Sequence, residues 1–460
     1  MSAAASASPL LWADNLDAPL AWHEGRPISR RHYLADVQAL AARLPDDGAM
    51  LNLSADRYRF AVGLGAALTR GQCSLLPPNF TPDMVERLRA MFPGVYALTD
   101  QVDPGTVLHT LRHEATPAPV AGSGTVPEID DAAVAVRVLT SGSTGAPVPH
   151  AKAWRYLRLG VQAEARRLAQ HMGLASFAGV TLVATVPAQH MYGFESSVLL
   201  SLLGGAAVDT ARPFYPADIA AALERAPRPR MLVTTPFHLK SLLDSGVALP
   251  AIDLTLCATA PLSPQLAARA EAGLAAPLVE IYGCTETGQV ATRRTVQGAE
   301  WTTFDGVSLS GDGEATMAQG GHVPQPTTLA DVLEVAGPGT FRLLGRSNDL
   351  INIAGKRSSL GHLNYHLNGI DGVRDGAFWL PPDPPDGVVR LIAFVVAPEL
   401  SADEIHRRVT AEMRKRVDPA FLPRRVVQVS ELPRVEGTGK LPAGAFSAWA
   451  EKVLATAPRR

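Results

Sequence analysis

The sequence has few of the residues that mark several broad classes of protein. Its three cysteines, Cys73, Cys257 and Cys284, are far apart, so neither a disulfide framework nor a CxxC metal pair is expected. Aromatic residues make up 6% of the chain, which argues against a protein that stacks on nucleic-acid bases. The formal net charge of -2 provides no general attraction to nucleic acid or to anionic membranes.

Long apolar runs are also missing from this sequence. No segment approaches the length of a membrane span, and the N-terminus MSAAASASPLLWADNLDAPL lacks the basic region and the apolar core of a signal peptide. We therefore expect a cytoplasmic protein that has no membrane span and binds no nucleic acid. The length of 460 residues predicts two or three domains.

Glycine and proline are abundant, with 39 and 37 residues, and they separate short apolar runs. Buried strands are predicted at 133–140, 181–188, 230–236, 253–260 and 277–283, with helical patterns between them. Strands that alternate with helices predict a parallel, doubly wound α/β sheet. The stretch GDGEATMAQGGHVPQP (311–326) is predicted to be a linker or surface loop, and VVRLIAFVVAP (388–398) is predicted to be a strand of a smaller α+β region.

A loop rich in glycine and hydroxyl residues follows the first predicted strand. It consists of Thr140, Ser141, Gly142, Ser143, Thr144 and Gly145. The glycines allow a close backbone approach, and converging N–H and hydroxyl groups suit a polyphosphate. The loop is neither a Walker loop nor a dinucleotide fingerprint. By itself it fits either a phosphate site or a flexible connection.

Further motifs occur downstream in a fixed order. They are Tyr282-Gly283-Cys284-Thr285-Glu286 after a strand, Asp331 in LADVLEV, GRSND at 345–349, IAGKR at 353–357 and EGTGK at 436–440. A tyrosine face can stack on a purine, and a carboxylate beside a phosphate can hold Mg²⁺ through its oxygens. The set is therefore typical of a nucleotide site.

Together these motifs resemble those of the adenylate-forming superfamily, which includes acyl-CoA synthetases, aryl-acid ligases, peptide-synthetase adenylation domains and luciferases. The resemblance covers most of the chain. It implies an α/β fold with a large N-terminal domain (1–346), built from doubly wound α/β subdomains and a small β-rich subdomain. A hinge at 347–348 and a small mobile α+β C-terminal domain (349–460) would follow.

The resemblance also implies roles for individual residues. The β- and γ-phosphates of ATP would be held by Thr140 to Gly145. The adenine would be flanked by Thr259, Ala260 and Pro261 and stacked on Tyr282, which precedes Gly283. Thr285 would contact the α-phosphate, and Glu286 would bind Mg²⁺. Asp331 would take the ribose hydroxyls, and Arg346 would bridge ribose and phosphate.

The remaining implied roles concern the acid substrate, the thiol substrate and the domain movement between the two reaction steps. The acid would lie beside His190, Tyr192, Gly193 and Ala258. Asn348 would be the hinge, Gly355 would line the thiol tunnel, and Lys440 would be the mobile catalytic lysine, assisted by Thr285, Glu286 and Arg346.

The chain departs from the family pattern at three places. Val148 stands where the phosphate loop usually has a lysine, which leaves Lys152 or His150 to replace its charge. Asn348 occupies a hinge position that is usually Asp or Lys. Ala258 and Thr259 stand where glycines are common, which is expected to narrow the floor of the acid pocket.

The implied reaction has two steps. A carboxylate attacks the α-phosphate of ATP to give an acyl-adenylate and pyrophosphate, and a thiol then displaces AMP. The sequence of the phosphate loop and the narrowed pocket resemble those of stand-alone ligases of aryl-polyene or xanthomonadin-type pigment pathways. The resemblance implies a small hydroxybenzoate-like acid as the substrate.

The thiol is expected to be the phosphopantetheine of an acyl carrier protein. Residues 349–460 contain 16 Lys and Arg against 13 Asp and Glu, a balance of +3, and acyl carrier proteins are typically acidic. Free CoA is the alternative, because it is also an anion. A non-catalytic nucleotide-binding relative is a further alternative, since Val148 replaces the loop lysine. A dehydrogenase is a third alternative, and the sequence lacks the dinucleotide-binding loop that it would need.

Overall fold

A computed structural model describes residues 6–102, 105–113, 124–141, 147–311, 316–346, 350–353, 356–381, 390–435 and 441–456. The strands are β1 Ala7–Pro9, β2 Pro19–His23, β3 Arg26–Ser29, β4 Met50–Asn52, β5 Ser74–Leu76, β6 Tyr96–Thr99, β7 Thr110–Arg112, β8 Glu128–Asp130, β9 Val134–Ser141, β10 Pro147–Ala153, β11 Thr181–Ala184, β12 Ala207–Asp209, β13 Arg230–Thr234, β14 Leu254–Cys257, β15 Leu278–Cys284, β16 Gly288–Arg293, β17 Glu300–Thr303, β18 Ser308–Gly311, β19 Thr316–Gly320, β20 Val323–Leu329, β21 Asp331–Gly337, β22 Thr340–Arg346, β23 Leu350–Ile353, β24 Lys356–Ser359, β25 Asp375–Trp379, β26 Ile392–Val396 and β27 Arg425–Gln428.

The helices are α1 Arg30–Ala41, α2 Arg57–Thr69, α3 Pro82–Met91, α4 Trp154–Met172, α5 Met191–Gly193, α6 Leu200–Leu203, α7 Pro216–Arg225, α8 Pro236–Asp244, α9 Pro264–Leu274, α10 Leu360–Asn368, α11 Ala402–Arg414 and α12 Ala443–Thr456. A π-helical segment, Phe194–Leu199, joins α5 to α6. Seven of the described helices begin at a Ser, Thr or Asp whose side chain accepts a backbone N–H of the first turn. Such caps satisfy donors that a helix start leaves open.

Two large sheets form the body of the fold. The first has eleven strands in the order β21-β22-β17-β16-β15-β14-β13-β11-β12-β2-β3, and its centre from β15 to β2 is parallel. The second has six strands in the order β10-β9-β5-β4-β6-β7, with β10 antiparallel to β9. The predicted α/β fold is confirmed, and its five predicted strands are divided between these sheets as β9, β11, β13, β14 and β15.

The largest hydrophobic cluster lies between the two sheets. It contains Met50, Tyr96 and Val136 from the six-stranded sheet together with Leu182, Met231, Leu254 and Val279 from the eleven-stranded sheet. Trp154 of α4 and Phe194 are completely buried in the same cluster. The shared core therefore fixes the position of one sheet against the other, because a close-packed interior resists displacement.

The predicted linker at 311–326 is wrong, because the described part of this stretch lies in a small sheet. Strands β18, β19 and β20 pair antiparallel in that order. Along β19, Thr316 and Ala318 are buried while Met317 is exposed. Gly320 and Gly321 have φ values of +83° and +58°, which a turn reaches at low cost only with glycine. The alternation of buried and exposed residues along β19 was not evident in the sequence, because its small residues have low strand propensity.

The last hundred residues have hydrophobic clusters of their own. The predicted strand within 388–398 is confirmed as β26, which pairs with β25 and β27. Helices α10 and α11 cover one cluster of this sheet, and α12 contributes to another. Among the described residues, the clusters of the body end at residue 341 and these begin at residue 351. The domain boundary expected at 347–348 lies outside the described residues and stays a prediction.

Candidate active site

The carboxyl ends of two neighbouring parallel strands, β14 and β15, carry eight of the predicted site residues. Ala258, Thr259, Ala260 and Pro261 follow β14 directly, while Tyr282 and Gly283 lie at the end of β15. Thr285 and Glu286 form the turn from β15 to β16. Because β13, β14 and β15 are parallel, their carboxyl ends meet at one edge of the sheet. Ligands of α/β sheets commonly bind at this edge.

Tyr282 and Asp331 are brought together from distant parts of the chain. The Tyr282 hydroxyl donates to Asp331 Oδ2 at 2.9 Å. The Tyr282 ring packs beside Trp301 and Phe341, at centroid distances of 5.7 and 5.6 Å. Asp331 begins β21, where the strand register pairs it with Arg346 of β22. The three residues predicted to bind adenine and ribose therefore converge, although the Arg346 side chain lies outside the described residues.

Thr259 holds an unusual backbone conformation beside this edge. Its φ of +83° lies in the left-handed region, which a β-branched residue rarely adopts. The side chain is exposed, so no packing of Thr259 offsets the strain. Strained backbone is found preferentially at functional sites, where surrounding structure fixes it. Thr259 is thus the most strained residue of the predicted adenine-flanking segment.

Gly283 allows the turn after β15 to fold back closely on β16. A Cβ atom at this position would lie 2.3 Å from the Gly288 carbonyl oxygen. No other residue fits without moving the backbone, because contacts below 3 Å are repulsive. The glycine therefore sets the path of the turn that carries Thr285 and Glu286.

The predicted acid-binding residues lie at the same edge. The Tyr192 hydroxyl is within hydrogen-bond distance of Thr234 O (3.1 Å) and Leu256 O (2.9 Å), at the ends of β13 and β14. Burial raises the pKa of Tyr192 well above its usual value. His190 immediately precedes α5, and Gly193 ends it. Tyr192 and Ala258 both pack against the main hydrophobic cluster.

The phosphate-loop residues are described only in part. Thr140 and Ser141 end β9, which pairs antiparallel with β10, and Thr140 Oγ1 lies 3.1 Å from His150 Nε2. Gly142, Ser143, Thr144 and Gly145 lie outside the described residues, as does the side chain of Ser141. Asn348, Gly355 and Lys440 are likewise outside them. Their predicted roles stay predictions.

Lys152 connects the strand after the phosphate loop to the turn after β15. Its Nζ donates to the backbone carbonyl of Glu286 at 2.6 Å. Burial lowers the pKa of Lys152, and the nearby Glu195, Cys284 and Glu286 oppose this shift. The lysine that the sequence offered as a replacement for the missing loop lysine is therefore at the site, where it bonds to protein backbone.

A buried acidic cluster beneath this turn was missed by the sequence analysis. Glu195 and Glu164 are 5% and 1% exposed. Burial raises the pKa of Glu195 to about 7, although Lys152 opposes the shift, and burial also raises the pKa of Glu164. Ser196 Oγ donates to Glu164 Oε1 at 2.7 Å, and the side-chain amide of Gln289 lies 2.7 Å from the same hydroxyl. The only signal in the sequence was an acid within the apolar run YGFESSVLL.

The residues at this edge fit a magnesium ion carried largely by a nucleotide. Glu286 is exposed and offers carboxylate oxygens, which Mg²⁺ prefers. In the described part of the chain, no group of three or more His, Cys, Asp or Glu residues is arranged to hold a metal by itself. One carboxylate together with substrate phosphates is the usual arrangement for this ion.

The described helices also bear on membrane association. None of them combines the length and the apolar character that crossing a bilayer requires.

Comparison with known proteins identifies the family of the chain. The AMP-binding enzyme family matches residues 61–333. A 4-coumarate–CoA ligase of Rhodobacter capsulatus is 32% identical over 284 residues, which are 62% of this chain and 69% of that protein. A fatty acid–[acyl-carrier-protein] ligase, MmaC of Mycobacterium marinum, is 29% identical over 126 residues, which are 27% of this chain and 24% of that protein.

Solved structures share the whole fold. The anthranilate CoA ligase AuaEII, solved in complex with anthranoyl-AMP, superposes with a TM-score of 0.77 at 16% identity, covering 98% of this chain and 99% of that one. The fold is therefore that of the adenylate-forming ligases. The chain belongs to the AMP-binding enzyme family. It is an acid–thiol ligase that binds ATP and activates a carboxylic acid as its adenylate.

Proposed function

We propose that this ligase activates a small aromatic acid of the hydroxybenzoate type and transfers it to the phosphopantetheine thiol of an acyl carrier protein. The observation that carries the nucleotide part is the convergence of Tyr282, Asp331 and the Arg346 position at the end of β15. Tyr282 stacks on the adenine, which Thr259, Ala260 and Pro261 flank. Asp331 accepts the ribose hydroxyls, and Arg346 bridges ribose and phosphate.

The first half-reaction brings a carboxylate to a polyanion, so the protein must supply positive charge and alignment. In our proposal the loop from Thr140 to Gly145 holds the outer phosphates, and Thr285 contacts the α-phosphate. Lys440 stabilises the charge that develops in the transition state. Glu286 would hold Mg²⁺, which would supply charge that neutralises the phosphates.

The second half-reaction needs a different arrangement of the same chain. We propose that residues 349–460 form a C-terminal domain that rotates about Asn348 after adenylation. The rotation removes Lys440 and brings Gly355 to the channel through which the thiol arrives. One feature supports a separate unit: among the described residues, its hydrophobic clusters contain no residue of the body.

A short, flat acid is supported by the residues near the acid site. The Tyr192 hydroxyl can donate to a carbonyl oxygen at the end of β13 or β14, which favours a ring position that shortens the acid pocket. Ala258 adds a side chain where the family commonly has none. The relatives named 4-coumarate–CoA ligase and anthranilate CoA ligase act on aromatic acids by their names. The class also fits the resemblance to ligases of aryl-polyene or xanthomonadin-type pathways.

A basic face of α11 supports an acidic protein as the acceptor. Arg407 and Arg414 are exposed and seven residues apart, which places them on one face of the helix. Among the described residues neither forms an ion pair, whereas Lys415 and Arg416 both pair with Glu412. Cations that keep their charge unpaired steer an acidic partner most effectively.

The adenylation step is tested by acid-dependent ATP–pyrophosphate exchange. The panel contains benzoates, hydroxybenzoates, cinnamates, short aliphatic acids and long fatty acids. We expect strong exchange with hydroxybenzoates and little with fatty acids. A maximum at fatty acids would refute the proposed acid class. Silence with every acid, at measurable ATP binding, would contradict the proposed catalytic role of these residues.

The acceptor is tested with the preferred acid and two thiols, a panel of purified holo-acyl carrier proteins and free CoA. Replacing Arg407 and Arg414 by Glu should slow carrier-protein loading by about tenfold or more at low salt, because long-range attraction becomes repulsion. Exchange of pyrophosphate should be unchanged, and Lys240→Glu on α8 serves as a control. Unchanged loading would refute the docking face. Free CoA is the second candidate because relatives are CoA ligases by name, and rapid thioester formation with CoA alone would establish it.

A further inference from the structure

Two side chains brace the turn that carries Glu286 from opposite ends. Lys152 Nζ donates to the carbonyl oxygen of Glu286 at the start of the turn. At its other end, Glu195 accepts the backbone N–H of Gln289. Glu195 also packs directly against Gly288, where an added Cβ would lie 2.7 Å from Glu195 Oε1. Residues 286–289 are therefore held between a cation and a carboxylate.

Lys152 reaches this turn because of its position on β10. Side chains alternate along a strand, so Val148, His150 and Lys152 share one face. Val148 is 46% exposed and lies next to the phosphate loop, whereas Lys152 lies four residues further along the strand. His150 bonds to Thr140, which leaves Lys152 as the described cation of this face that reaches the turn. Its long stem bridges two separate sheets.

Glu195 is the buried partner in this arrangement. It is 5% exposed, and its Oε2 atom has no hydrogen-bond partner among the described residues. A buried carboxylate without a neighbouring cation is costly, and Lys152 is the cation within electrostatic reach. The positive charge of Lys152 therefore offsets part of the free-energy cost of burying the Glu195 carboxylate.

We propose that Lys152 and Glu195 are positioning residues for adenylation, which brace the turn 286–289 and thereby fix the Glu286 carboxylate where magnesium-bound ATP meets it. The inference rests on the proposed role of Glu286. Lys152 then acts through the backbone of Glu286, and it does not replace the missing loop lysine as a phosphate ligand.

The experiment measures ATP affinity by calorimetry, once with Mg²⁺ and once with EDTA, on the purified full-length protein. Its readout is the gain in affinity that Mg²⁺ provides. For Lys152→Met and Glu195→Gln we expect this gain to fall about tenfold, with the affinity in EDTA unchanged. Lys152→Arg should restore part of the gain, because a guanidinium also donates to a carbonyl. Lys240→Met, which removes a half-buried lysine paired with Asp244, is the matched control.

The outcomes separate the proposal from the function on which it rests. If Lys152→Met weakens ATP equally with and without Mg²⁺, the lysine contacts phosphate directly and the bracing proposal is wrong. If the gain is unchanged, the lysine serves stability only and the proposal is equally wrong. Glu286→Gln tests the proposed magnesium role of Glu286, on which the inference rests. If Mg²⁺ increases the ATP affinity of that variant as much as that of the unchanged protein, the magnesium role is refuted. Should Lys152→Met fail to fold, Lys152→Arg and Glu195→Gln decide the question with the same readout.

Discussion

The buried ion pair beneath Tyr282 offers a test of how this site is held. Glu280 and Arg293 are cross-strand partners on β15 and β16, with Arg293 NH2 2.6 Å from Glu280 Oε2. Their side chains are 6% and 10% exposed. Thr295 also donates to Glu280, and the Arg293 guanidinium lies 4.5 Å from the centroid of the Trp301 ring. Tyr282 follows Glu280 by two residues on the same face of β15.

Replacing Arg293 by Met should cost about 3–5 kcal/mol of unfolding free energy, because it leaves a buried carboxylate without its cation. Loss of the contact with Trp301 accounts for about 1 kcal/mol of that sum. Arg342→Met is the matched control, since Arg342 forms a 2.9 Å pair with Glu300 between side chains that are 51% and 52% exposed. An exposed pair contributes at most about 1 kcal/mol.

Urea unfolding followed by tryptophan fluorescence and circular dichroism measures both losses, with agreement of the two probes as the check on cooperativity. The double variant Glu280→Gln, Arg293→Met should recover much of the loss, because it removes both buried charges. Burial raises the pKa of Glu280 against the pull of Arg293. Without Arg293 the carboxyl can be protonated, so the loss should be smaller at pH 5 than at pH 8. If Arg293→Met and Arg342→Met cost the same, the burial argument is refuted.

Three further predictions concern the site itself. Tyr282→Phe removes the hydroxyl that bonds Asp331, and it should weaken ATP binding by about tenfold to 150-fold, because one hydrogen bond to a charged group contributes about 1.5–3 kcal/mol. Calorimetry checks this, and an unchanged affinity would mean that Asp331 needs no orientation by Tyr282. Thr259→Gly should raise the unfolding free energy by about 0.5–1 kcal/mol, because relief of about 1–2 kcal/mol of left-handed strain exceeds the entropy that glycine adds to the unfolded chain. A loss of stability in urea would contradict the left-handed backbone at Thr259. Glu195, which faces Lys152, Glu164 and the Gln289 N–H, has its pKa raised to about 7 by burial. Its contribution to stability is therefore present below about pH 4.5 and is lost as the pH rises through about 7, by up to about 3 kcal/mol. Glu195→Gln should flatten this part of the stability–pH profile, and a profile that keeps its slope would show that another group titrates.

Local signals in the sequence were enough for the strands and for the motifs at their ends. The apolar runs at 230–236, 253–260 and 277–283 became adjacent parallel strands, since short buried runs between helical patterns have few other stable arrangements. Motif residues directly after such strands had to meet at one sheet edge. The family resemblance supplied their expected roles, and the family and the fold are confirmed. The roles themselves, the domain boundary and the cytoplasmic location stay predictions.

The stretch 311–326 shows where local signals fail. Its glycine, alanine and glutamine residues have low strand propensity, and only neighbouring strands turn them into the middle of a sheet. Propensity is a weak guide where pairing partners decide the structure.

The sequence by itself determined the class of fold and the edge at which the site lies, because the periodicity of burial and the chemistry of motifs are local properties of the chain. The tertiary structure alone decided that Lys152 meets Glu286 across 134 residues, and that Tyr282 meets Asp331 across 49. It also placed Glu195 beneath Gly288 and gave Thr259 its left-handed backbone. These contacts depend on sheet register and on the packing of one sheet against another, which many distant residues determine together.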